Sequence, residues 1–260
     1  MGWWPFRERT FLDPDDEEWQ IETWKWFLDK FGGIPDLKHS SLVLPTRQYF
    51  PPTDKTGHER AEFIFECVKH LARMPDWPCR LVAQPRRAEL RVGDITTLKP
   101  ITHAPAGTFG FEGNEVVITY QPADIDNPGV LIATLAHELA HYLLLRWRTD
   151  IPGGDDVHEL TTDLLTVYMG FGVFGASTAF NFSQHQDVMS QGWQWSRHGY
   201  LNERAWVFGQ AVFLELRGET AETVKPFLKA HLYSDLTEAI RYLRRRGILA
   251  AFNTPVSPSA

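Results

Sequence analysis

A chain of 260 residues, 43% hydrophobic and 23% charged, carries enough apolar material for a sizeable core, which excludes a disordered, collagenous or coiled-coil protein. The formal net charge of −7 gives no basic footprint for a nucleic-acid backbone, and no nucleic-acid partner is expected. Cys67 and Cys79 are the only cysteines, without a C-x-x-C pairing, which leaves no disulfide scaffold and no Cys-rich zinc ribbon.

The first residues lack an apolar signal region before the cluster of acids reached by Asp13, so a cytoplasmic location is expected. Asp13-Pro14-Asp15-Asp16-Glu17 has the chemistry of a helix start: a cap, a proline at the first helical position and acids at the positive end of the dipole. Gly32-Gly33 ends that helix, whose Trp19, Trp24, Phe27, Leu28 and Phe31 form one apolar stripe. Trp3, Trp4 and Trp26 make this end of the chain rich in tryptophan. It reads first as a packed cap and second as a surface for a protein partner.

Residues 36–57 read as loop with a short strand at Leu42-Val43-Leu44, because Pro45, Pro51 and Pro52 break any regular period. A second helix is predicted over 59–73, with Phe63, Ile64, Val68 and Leu71 inward. Runs with β character follow at 80–83, 89–92, 95–98 and 115–120, enough for a small sheet. From Gly129 the pattern is almost wholly helical. The uncharged stretch 164–180 falls short of a spanning length and holds three glycines, so it reads as a buried core helix and no membrane span is predicted. The last long helix is expected to open at Asp235, with Glu238 in capping-box position, and to close at Gly247. This divides the chain into a Trp-rich region with helices and short strands, 1–105, and a metal-binding region, 106–260, unless the two form one continuous domain.

The segment 130–145 carries the chemistry. Apart from the Tyr142 phenol, its only ionisable side chains are His137, Glu138 and His141, on a helix otherwise apolar enough to be buried on most faces. At about 100° per residue the two histidines share a face one turn apart, so two imidazole nitrogens can converge on one ion. Glu138 lies on the flank, within reach of a metal-activated water without being a ligand. A catalytic zinc needs a third protein ligand. Glu159 and Asp163, at i and i+4 on a helix beginning near Asp155 or Asp156, offer two carboxylates on one face, one for the metal and one for the outward N–H of a ligand histidine. His158 is a further candidate for the third position.

His137-Glu138-x-x-His141, followed by Glu159 eighteen residues after the second histidine and Asp163 four further on, resembles the gluzincin metallopeptidases, the thermolysin-like and CAAX-prenyl-endopeptidase groups among them. The resemblance covers residues 115–163, and the chain also has the general look of bacterial zincin-like proteins. It implies zinc on His137, His141 and Glu159, Glu138 as the general base acting on the water, and Asp163 orienting a ligand histidine. A metzincin-like pattern would need a histidine where Trp147 stands. For the oxyanion of the reaction, such proteins place a histidine or tyrosine well downstream, where His198 and Tyr200 are preferred over His185.

The expected architecture is α+β and zincin-like, with a small sheet on the His137 to His141 helix and a mainly helical C-terminal half. The expected activity is zinc-dependent hydrolysis of a peptide or protein substrate. The alternatives are a catalytically weak, zinc-stabilised binding or regulatory protein, and histidines and glutamate that merely satisfy one another in the core.

Overall fold

The computed structural model describes residues 10–85, 107–113, 115–175 and 201–252, and the chain divides into two compact units. The predicted runs 89–92 and 95–98 lie outside the described residues, as do Trp3 and Trp4. The architecture is α+β, mostly helical, with one small sheet of three strands among the described residues.

The unit formed by residues 45–145 holds that sheet. Helix α3 (Gly57–Leu71) precedes strand β1 (Cys79–Ala83), and β2 (Gly107–Glu112) and β3 (Glu115–Tyr120) form a hairpin. The order is β1-β3-β2, with β1 parallel and β2 antiparallel to the central β3. The register sets Leu81, Ile118 and Phe109 side by side. Facing residues of a ladder point to the same side, so these three, with Tyr120 and Gly107, line one face. Ile118 and Tyr120 are fully buried there. Helix α4 (Pro128–Leu144) packs on β2 and β3, and α3 packs on α4 and β1. His58 of α3 lies flat against the Tyr120 ring, its Nδ1 3.0 Å from the phenol oxygen. Across the three strands, Arg80 of β1 pairs with Glu115 at 2.8 Å and with Glu112.

The other unit, residues 1–44 and 146–260, is helical in its described parts. Its centre is α6 (Glu203–Arg217), capped by Asn202, whose side chain accepts from the Ala205 amide, and buried along nearly its whole length. Around it stand α1 (Pro14–Lys30), α2 (Gly33–His39), α5 (His158–Tyr168) and α7 (Ala230–Arg246). Asp13 caps α1 as its sequence suggests, accepting from the Asp15 amide at 3.1 Å. The α1 stripe is core: Trp24 and Phe27 are fully buried and close on the Tyr168 ring of α5 at 5.7 and 5.4 Å. Buried polar groups tie the helices further, Gln20 to the Ala205 carbonyl and Tyr242 to Glu17.

Three local expectations are corrected. Residues 36–57 are not all loop, since α2 continues to His39 after the glycine pair. Leu42 to Leu44 make no strand among the described residues. Val43 gives a single backbone hydrogen bond, to the Gly170 carbonyl, and Gly170 turns with φ +96° so close to the Ser41 carbonyl that a Cβ there would stand 1.8 Å from its oxygen. The last helix starts at Ala230, which places Asp235 inside it rather than at its cap, facing Arg204 at 4.0 Å. Its closure at Gly247, with φ +66°, is as expected.

The uncharged 164–180 stretch is not one helix, because α5 ends at Tyr168, and its described residues are buried. A different run, Pro128–Asp150, is long and apolar enough to cross a membrane by length and composition, and half of its apolar 18-residue window is buried. It contains α4, whose apolar character a core helix also requires.

In the helical unit, the Tyr242 hydroxyl donates to Glu17 Oε1 at 2.8 Å, and burial first, then this bond, pushes the phenol up to about 12. The folded state therefore holds a proton that the unfolded chain releases near pH 10, so this contribution is complete below pH 10 and is lost as pH rises toward 12. Tyr242→Phe is expected to lower stability by about 1–3 kcal/mol at neutral pH, because the buried carboxylate loses its donor. Urea unfolding at pH 7 and pH 11 checks both statements: the deficit of the mutant should shrink at the higher pH.

Candidate metal centre

Helix α4 begins with Pro128 at its first turn and runs through an apolar sequence in which Leu131, Leu135 and Leu139 are fully buried. The polar interruptions are confined to two neighbouring stripes. One carries His137 and His141, both half-buried. The other carries Thr134, Glu138 and Tyr142, spaced four residues apart and hence stacked turn on turn.

The histidine rings stand nearly perpendicular, at 82°, with centroids 4.6 Å apart and the two Nε2 atoms 3.0 Å apart. Two imidazoles bonded at about 2.0–2.1 Å to one tetrahedral zinc hold their nitrogens about 3.3 Å apart. The pair therefore stands within a few tenths of an ångström of that separation. The same distance allows one ring N–H to donate to the other ring's lone pair, an arrangement that depends on tautomer.

Glu138 is buried, only 5% exposed, with its carboxylate against the edge strand β2. A Cβ built on Gly107, the first residue of β2, would stand 2.9 Å from Glu138 Oε1 and 2.6 Å from Thr134 Cγ2. The strand thus passes over α4 at contact distance. One turn along, Phe109 of β2 stacks on Tyr142 with centroids 5.6 Å apart, and Trp77 meets the Tyr142 ring edge-on at 4.7 Å. The Tyr142 hydroxyl donates to the Pro78 carbonyl, and burial raises its pKa above the ordinary phenol value.

Two turns with 3-10 geometry, Leu145–Asp150 and Asp155–Val157, lead into α5. Glu159 lies in its first turn, where the helix dipole favours a carboxylate. It is half-buried, and its Oε1 is 3.9 Å from His158 Nδ1. Asp163 is 5% exposed, and its Oδ2 accepts the Leu201 amide at 2.9 Å in a buried hydrogen bond. That bond fixes the chain just before α6.

Among the described residues, His137, His141 and Glu159 form the group that could hold a metal ion, each supplying one ligand atom. Two imidazole nitrogens and one carboxylate oxygen are a donor set that zinc accepts, with a fourth position left for water or substrate. The group includes neither His158 nor Asp163. His198, Tyr200 and His185 lie outside the described residues.

Sequence reasoning missed Gly107 and its strand. The signal was present: Thr108, Phe109, Gly110 and Phe111 alternate in type, and Gly113, with φ +62°, opens the tight connection to β3. No protein-family model, no curated protein and no solved structure matches the chain.

The Asp163 bond to Leu201 gives a direct test of how the second carboxylate is used. Asp163→Ala should cost about 1–3 kcal/mol in urea unfolding, because a buried amide is left without its acceptor. Asp163→Asn, which keeps an acceptor oxygen in place, should recover most of that loss.

Proposed function

We propose that the protein is a zinc-dependent metallopeptidase of zincin type, with His137, His141 and Glu159 as the ligands. The observation that carries this reading is the pair of half-buried imidazoles whose Nε2 atoms stand 3.0 Å apart on α4, beside the buried carboxylate of Glu138. The His/His/Glu group and the His-Glu-x-x-His spacing support it. When bound, the ion supplies a Lewis acid for the substrate carbonyl and lowers the pKa of a water toward neutrality.

The protein's own residues do the rest. Glu138 takes the proton of the attacking water on its carboxylate and returns it to the amine that leaves, so one group serves as base and then as acid. Its burial between α4 and β2 removes competing solvent and restricts the carboxylate to a narrow range of positions. Glu159 adds a negative charge to two neutral imidazoles, a combination that favours a divalent cation over a lone ring-to-ring hydrogen bond. Asp163 is assigned the outward N–H of a ligand histidine, with its Oδ2 already anchored by Leu201. The substrate class is a peptide or protein.

Glu138→Gln tests the reading. The substituted amide keeps the size of the side chain and cannot take up the proton. Turnover of a peptide library should fall by about 10²–10⁴-fold, the range general-base catalysis supplies, with zinc content and thermal midpoint unchanged. Equal cleavage by the mutant would remove Glu138 from the mechanism. A wild-type protein that binds zinc, loses stability on chelation and cuts nothing would favour the zinc-stabilised binding protein instead.

A further inference from the structure

Gly107 has an ordinary backbone conformation, because it is not among the described glycines with positive φ. Glycine is therefore not required there by the chain's own dihedral angles. The requirement comes from the neighbours. A Cβ at this position would stand 2.6 Å from Thr134 Cγ2, 2.8 Å from the Thr119 carbonyl oxygen and 2.9 Å from Glu138 Oε1, all shorter than real Cβ contacts. Thr134 and Glu138 are consecutive residues of one α4 stripe, and Thr119 belongs to the neighbouring strand β3. The missing side chain is thus a notch in the edge strand, and the Glu138 carboxylate is one of the groups that fill it. Gly110, the other glycine of β2, has open space where its Cβ would be, so the close fit is particular to Gly107.

We propose that Gly107 is a positioning residue for Glu138: the notch fixes where the buried carboxylate stands on α4, and any side chain at 107 displaces it. The inference rests on the peptidase reading for its catalytic consequence, but the contact itself does not. A displacement of about 1 Å in a reacting group can cost about 10²-fold in rate. Neither the binding of zinc by the histidines nor the binding of substrate requires the Glu138 carboxylate to stay in place. The effect should therefore fall on kcat and spare KM and metal content.

The experiment is a double-mutant cycle read in two ways. In thermal unfolding of the full chain, Gly107→Ala, Glu138→Ala and the double variant are compared with the wild type. If Glu138 fills the notch, truncating it makes room for part of the new methyl group, and Gly107→Ala should lower the midpoint less in the Glu138→Ala background than in the wild type. Equal losses in both backgrounds would overturn the contact. In peptide cleavage, Gly107→Ala should lower kcat by about 10–100-fold with KM and zinc content unchanged, and the added substitution Thr134→Ser, which removes the Cγ2 clash, should restore part of kcat. An unchanged kcat in Gly107→Ala would overturn the positioning role. Absence of any Glu138-dependent cleavage in the wild type would instead sink the peptidase reading, and with it the catalytic consequence, while a coupled thermal cycle would still establish the Gly107–Glu138 contact.

Discussion

A carboxylate buried on an apolar helix is costly unless its surroundings compensate it, and Glu138 is such a group. The strand that passes over it leaves room for that side chain. The α4 stripe of Thr134, Glu138 and Tyr142 faces β2, and β2 answers it with a glycine, then with Phe109 against the Tyr142 ring. The neighbouring stripe presents two imidazoles side by side. Ordinary core packing would place an apolar side chain at the buried Glu138 position and gain about 1.5–3 kcal/mol from its full burial. His, Glu and His thus interrupt a helix whose other buried positions are mainly Leu, Ile and Ala, and the two histidines with Glu159 form a group that could hold a metal ion.

Each unit is held together by different means. The sheet has its central strand β3 held on both sides, and Arg80 links the ends of all three strands through Glu112 and Glu115. In the helical unit, Asp163 is fixed by a backbone amide, and α5 itself packs its Tyr168 into the aromatic cluster of α1. Glu159 occupies the first turn of that packed helix.

Much of this was legible in the sequence because it rests on local periodicities. The His-Glu-x-x-His spacing determines which side chains share a face whatever surrounds the helix, and the apolar run that contains it announces burial. Asp13, Asn202 and Gly247 mark helix ends through backbone hydrogen bonding or left-handed geometry that belongs to those residue types. What escaped depends on contacts distant in sequence. Gly107 is a notch only because Thr134, Glu138 and Thr119 converge on it. Leu42 to Leu44 look like a strand because they are apolar and β-branched in part, but their single described backbone partner is the Gly170 carbonyl. Asp235 resembles a cap by composition, yet the helix starts five residues earlier, where Lys229 has no capping side-chain bond. That His137 and His141 share one face was thus readable from spacing, while the surfaces that hold the Glu138 carboxylate were not.

The proposed site needs His137, His141 and Glu159 together to bind one divalent ion. Elemental analysis of protein purified without chelator, on the wild type and on Glu159→Ala, measures it most directly. About one zinc per chain is expected in the wild type, and its loss from the variant at unchanged fold, since the ligand count falls below what zinc sites use. Wild-type protein without metal, still unable to bind zinc on titration, would contradict it and leave the two histidines as partners of one another in the core.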